Sequence, residues 1–187
     1  MQRPNWFLAF PMEGSFVRAL PELPRGFRRF HEDDVHLTLA FLGGCGEAGA
    51  ERALQALDTR LAQARPAAID VALGEVVPMG GSRRQYTALS ALLSAGRAEA
   101  TALLGALRDP LTAAARGRRE TRPPKPHVTV ARPRSRASDA DRVAGLEWAA
   151  ALDLTGVRAR LDRVALYTWA EPRRERLFQI VAERRLD

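Results

Sequence analysis

His36-Leu37-Thr38-Leu39-Ala40-Phe41-Leu42-Gly43 and His127-Val128-Thr129-Val130-Ala131-Arg132 open on one four-residue pattern: His, apolar, Thr, apolar. Side chains alternate between the two faces of a β-strand, so each histidine shares a face with its threonine. Leu37, Leu39, Val128 and Val130 then point the other way. The chain holds three histidines, and two of them sit in this pattern. Two such strands can bring two imidazoles and two hydroxyls to one pocket. That set suits acid–base chemistry on a phosphate ester without a metal: a base for the attacking oxygen, an acid for the departing one, and donors to the non-bridging oxygens.

The rest of the chain gives these strands a frame. Asn5 to Phe10 reads as a strand closed by Pro11, and Glu13 to Leu20 as a brief helix. Apolar residues at Ala50, Ala53, Leu54, Leu57, Leu61 and Ala64 have helical spacing, which predicts a helix over 47–64. Ile69 to Val77 and Tyr86 to Leu93 read as paired strands about the turn Pro78-Met79-Gly80-Gly81. Gly96 to Leu107 reads as a helix, with a separate helical stretch beginning at Pro110. Ser138 and Asp141 form a capping pattern ahead of a helix over 139–151. Arg158 to Trp169 and Glu175 to Glu183 read as a closing hairpin, with Glu171, Pro172, Arg173 and Arg174 in its loop. Strands interrupted by a few helices make an α+β fold. At 187 residues one domain over 1–187 is expected, and the repeated motif suggests an internal duplication.

Composition narrows the partners. The net charge is +7, and Lys125 is the only lysine among 29 basic residues. Arginine suits bidentate phosphate contacts, and the positive balance favours polyanions. Cys45 is the only cysteine, which excludes an intrachain disulfide and a thiolate-rich metal site. No signal-peptide pattern and no apolar run of membrane-spanning length is read, so a cytoplasmic protein without a membrane partner is expected. Gly43-Gly44 ends the first motif strand where backbone can approach a ligand closely. Arg132 and the basic loop from Arg116 to Lys125 are candidate phosphate clamps. His31 reads as a surface residue, and Asp33-Asp34 as a solvated turn rather than metal ligands.

The paired motif resembles the two-histidine (2H) phosphoesterase superfamily. The text around it is similar to the RNA 2′,3′-cyclic phosphodiesterases, also called 2′–5′ RNA ligases. The resemblance is carried by His36 to Gly43, by Pro126 to Arg132, by Phe7 to Pro11 and by Val164 to Tyr167. It implies a bilobal fold, two antiparallel sheets flanking a central cleft with helices on the outer faces. It implies His36 as general acid and His127 as general base, roles that the residues alone leave exchangeable. Thr38, Thr129 and Arg132 would bind phosphoryl oxygens, with Tyr167 and Phe178 near the nucleotide. The implied substrates are RNA ends or nucleotides carrying a 2′,3′-cyclic phosphate, opened to a 2′-phosphate with no cofactor, no metal and no obligate protein partner. Two positions depart from the pattern: Asn5 stands where arginine is frequent, and Phe178 where tyrosine is. Rival readings are 2′–5′ ligation, hydrolysis of 2′–5′-linked or cyclic oligonucleotides, and binding of RNA ends without catalysis.

Overall fold

The computed structural model describes residues 3–82, 85–173 and 175–187; Arg174, read as part of the closing loop, lies outside them. In chain order the elements are β1 (Trp6–Pro11), α1 (Phe16–Ala19), β2 (Phe27–Arg29), a 3-10 turn (Glu32–Asp34), β3 (His36–Gly43), α2 (Gly46–Ala64), β4 (Ile69–Met79), β5 (Ala88–Ala95), α3 (Arg97–Ala114), β6 (His127–Pro133), α4 (Asp139–Ala150), β7 (Arg158–Leu161), β8 (Arg163–Trp169) and β9 (Phe178–Arg185). The class is α+β, as the order of strands and helices implied.

Every strand pairing is antiparallel. One lobe runs β3-β1-β8-β9 and the other β6-β5-β4-β7, so each histidine strand is the innermost of its lobe. The two lobes meet along β3 and β6 at a single paired position, Leu37 opposite Val128, which makes one curled sheet of the whole. Short β2 covers the rest of the β6 edge, setting Phe27, Arg28 and Arg29 opposite Pro133, Arg132 and Ala131. Helices back the convex side. Leu37, Leu39, Val128 and Val130 are buried there with Leu57 of α2 and Leu104, Leu107 and Leu111 of α3. Each such leucine contributes about 1.5–3 kcal/mol by leaving water, so the strand faces are fixed and the polar motif residues must point into the concavity.

Three expectations change. The helix from Arg97 does not stop before Pro110 but runs through it to Ala114. Its buried series Leu104, Leu107, Leu111 continues past the proline, and that packing outweighs the roughly 3 kcal/mol an interior proline costs. The stretch 158–169 is two strands divided at Asp162: β7 pairs with β4 in one lobe, and only β8 forms the closing hairpin with β9. The brief helix read over Glu13 to Leu20 covers only Phe16–Ala19, and a strand without a sequence expectation, β2, follows Gly26. The Ser138–Asp141 capping box is present as read.

Candidate active site

A matched pair of bulges sets the faces of the two motif strands. On β3, Ala9 faces Thr38 and Leu8 faces Ala40, so Leu39 is the extra residue. On β6, Ser90 faces Thr129 and Leu89 faces Ala131, so Val130 is the extra residue. A bulge shifts the alternation by one. The fifth residue after each histidine therefore turns back toward the cleft: Phe41 in one strand and Arg132 in the other. Phe41 is 57% exposed. Strict alternation would put both on the opposite face, which is why the sequence does not single out Phe41, whereas Arg132, a candidate phosphate clamp from sequence, owes its place on the cleft side to the bulge.

Continuing the Leu37–Val128 register by one residue either way sets His36 across from Thr129 and Thr38 across from His127. Each imidazole is locked in the same manner. His36 Nδ1 donates to the Asp34 carbonyl at 2.6 Å, and His127 Nδ1 donates to the Lys125 carbonyl at 2.6 Å. A carbonyl oxygen only accepts, so Nδ1 carries the proton and Nε2 of the neutral ring is left for the substrate. Ser90, fully buried, places its hydroxyl 3.2 Å from that of Thr129. Thr38 sits opposite Ala9 and has no such partner strand hydroxyl.

A cavity of about 900 Å³ opens over the β6 lobe. Thr38, Phe41, His127, Thr129 and Arg132 line it, and the basic loop from Arg118 to Lys125 forms its far wall. Within that loop Arg119 is paired with Asp109 and Arg122 with Glu120, whose carboxyl the Arg122 contacts pull down to about 2. Lys125 is exposed at the lip.

His36 lies off this lining, packed into an aromatic cluster. Its ring centroid is 4.9 Å from Phe7, 5.4 Å from Tyr167 and 5.6 Å from Phe178. Tyr167 stacks on Phe7 at 4.9 Å and 1° and is only 1% exposed, so it supports His36 and offers no open face to a base. Phe178 meets the Phe7 and His36 rings edge-on and is half-buried. Asp34 is no solvated turn residue: it is 1% exposed. Its carboxylate accepts from the Leu177 amide at 2.8 and 3.0 Å and the Phe178 amide at 3.0 Å, tying the start of β9 to the His36 strand. Burial raises its pKa, against those bonds. No sequence pattern announced this contact, whose partners lie more than a hundred residues away. His31 accepts from the Asp33 amide at 3.2 Å and stays apart from the cluster.

Both imidazoles are shifted toward the neutral form. Withdrawal from solvent, then the charges of Arg132 and His127, push His36 down to about 4 against the Asp34 bond. His127 is lowered too, first by desolvation and then by Lys125 and Arg132. Between the ordinary value of 6.5 and about 4, the unfolded chain binds the His36 proton more readily than the folded one. Stability therefore falls as pH drops through that window, by at most on the order of 3 kcal/mol. Urea unfolding of wild type and His36→Gln at pH 7 and pH 4.5 checks this: the variant should lose distinctly less stability on acidification, and an equal loss would place the effect elsewhere.

The family model described as the 2′-5′ RNA ligase superfamily matches residues 18–173, both motifs included. The chain belongs to this superfamily. Solved structures agree on the 2H fold. Escherichia coli LigT complexed with 3′-AMP is similar at 21% identity and a TM-score of 0.69, over 98% of this chain and 99% of that one. A structure described as a phosphoesterase gives 20% and 0.67 over 97% and 98%. A Thermus thermophilus protein gives 21% and 0.63 over 97% of each. Comparison with curated proteins gives no match. Membership of the 2H superfamily gives the paired histidines a common frame: in this chain both motifs are intact and meet at the seam of the lobes. Among the described residues no helix is long and apolar enough to cross a membrane.

Proposed function

We propose that the protein is an RNA 2′,3′-cyclic phosphodiesterase that opens a terminal cyclic phosphate to a 2′-phosphate without a metal. The observation that carries the reading is the pair of identically locked imidazoles, each set across from the other motif's threonine at one seam. One Nε2 takes a proton from water as the water oxygen bonds to phosphorus. The P–O3′ bond breaks, and O3′ takes a proton from the other imidazole. Thr38 and Thr129 donate to the non-bridging oxygens, where charge builds. Phe41, exposed in the cavity, suits stacking on a base, and the positive cavity wall suits the phosphate chain.

The sequence expectation made His36 the acid and His127 the base. In the free site desolvation pushes His36 down to about 4 under three aromatic rings and lowers His127 as well, so the shifts alone leave the two roles exchangeable. Nucleotides named with the LigT structures, 3′-AMP and ATP among them, support a nucleotide-sized ligand here as well. An oligoribonucleotide ending in a 2′,3′-cyclic phosphate should be converted to the 2′-phosphate at the same rate with and without EDTA. Loss of turnover with chelator, or an unaltered cyclic end after long incubation, would sink the reading.

A further inference from the structure

The two histidines are held by the same backbone contact, but only one of the two holders is itself fastened. Lys125, whose carbonyl accepts from His127 Nδ1, ends a basic loop and has an exposed side chain. Asp34, whose carbonyl accepts from His36 Nδ1, is 1% exposed. A buried carboxylate needs partners, and this one finds them far along the chain. Its Oδ1 accepts from the Leu177 and Phe178 amides at 3.0 Å each, and its Oδ2 from the Leu177 amide at 2.8 Å.

Those two amides lie where the closing loop ends and β9 begins. The Ala170 amide donates to the Leu177 carbonyl at 3.0 Å, which shuts the loop over 171–176. Leu177 is thus held from both sides. Phe178 follows it and meets the His36 ring edge-on at 5.6 Å. Phe7 on β1 and Tyr167 on β8, the other rings around His36, belong to inner strands. Phe178 belongs to an edge: among the described residues β9 pairs on one side only, with β8. An edge strand has no second neighbour strand to hold it, and the Asp34 carboxylate stands in that place at its start. The titratable and charged groups that face His36 are Arg132 and His127 across the seam, Tyr167, and Asp34 itself; His31 and Arg28 bear on Asp34 in turn.

We infer that Asp34 is a positioning residue for His36: its carbonyl orients the imidazole, and its carboxylate fastens the start of β9, which keeps the Phe178 ring against that imidazole. It acts through His36 and needs no contact with substrate. Its kinetic consequence rests on the cyclic phosphodiesterase reading; its effect on the imidazole does not.

The test compares Asp34→Ala with Asp34→Asn, which lose the same charge and differ in the fastening. An asparagine oxygen in the Oδ1 position still reaches both amides, and alanine reaches neither. NMR titration of the imidazoles in the free protein reads the result. In Asp34→Ala water reaches the ring as the start of β9 loosens, so His36 should rise from about 4 toward the ordinary 6.5. In Asp34→Asn it should stay near the wild-type value. His127, held from the other lobe, should not rise in either variant. A His36 value unchanged in Asp34→Ala overturns the inference. So does a lowered one, the sign of a lost negative charge and nothing more. Phe178→Ala, with the carboxylate in place, is the companion variant should Asp34→Ala not fold: His36 should rise there as well, and an unmoved value overturns the inference equally. On a 2′,3′-cyclic mononucleotide Asp34→Ala should lose about 10²-fold in kcat, as for a slight misplacement of a reacting group, with KM within about threefold. The acid limb of its pH profile should move up with His36, and Asp34→Asn should recover most of the loss. A wild-type protein that turns over no cyclic phosphate ends the phosphodiesterase reading, and the titration then decides the role of Asp34 by itself.

Discussion

Alanine at either His36 or His127 is expected to lower turnover of a 2′,3′-cyclic phosphate by about 10²–10⁴-fold, the usual worth of a positioned proton-transfer group. The double variant should fall little further, because an acid without a base, or the reverse, already leaves the reaction with one unassisted proton. The pH dependence carries the same signature. Below about 4 His36 is protonated, and no base remains. Above the lowered value of His127 both rings are neutral and no acid remains. A bell-shaped kcat/KM follows, with its acid limb near 4 and its alkaline limb below the ordinary histidine value. The two limbs belong to the pair, since each charge bears on the other. A substrate with sulfur at the leaving position separates the roles, because a thiolate departs without a proton. It should rescue whichever alanine variant lacks the acid, His36→Ala on the assignment expected from sequence. Rescue of His127→Ala alone would exchange the two roles, and full activity in either single variant would end the two-histidine mechanism.

Thr129→Val is expected to cost about 10²–10³ in kcat, the range for a lost donor to developing oxyanion charge. Valine keeps the shape of the side chain, so the strand and its bulge should hold. The buried Ser90 hydroxyl, which faces Thr129 at 3.2 Å, loses its partner in the same step. Ser90→Ala should therefore reproduce a smaller part of the defect, seen in kcat more than in KM, because it frees the Thr129 hydroxyl to rotate without removing it. Thr38→Val should cost less than Thr129→Val, for Thr38 faces Ala9 and has no oriented neighbour to lose. If Thr129→Val turns over at the wild-type rate, the hydroxyl does not touch the phosphate.

Much of this was legible because the signals were local. Alternation from His36 to Leu39 and from His127 to Val130 gave the strand faces, and Leu37 and Val128 are buried as that alternation requires. Ser138 with Asp141 gave a helix start. What could not be read depends on partners distant in the chain. The bulges at Leu39 and Val130 exist only through β1 and β5. They turn Phe41 and Arg132 into the cleft against the simple count of residues. Asp34 looked like turn chemistry because its partners are the amides of Leu177 and Phe178. Pro110 misled because proline marks a helix end only where packing does not hold the helix together.

The single lysine gives the cleft a built-in reporter. Lys125 is exposed at the lip of the cavity, and its own carbonyl holds His127. With no other lysine in the chain, an amine-reactive dye or a reductive methylation reagent finds a single side-chain amine besides the chain's α-amine, two residues from the chemistry. A label there reads the arrival and departure of a ligand directly, with no engineered cysteine.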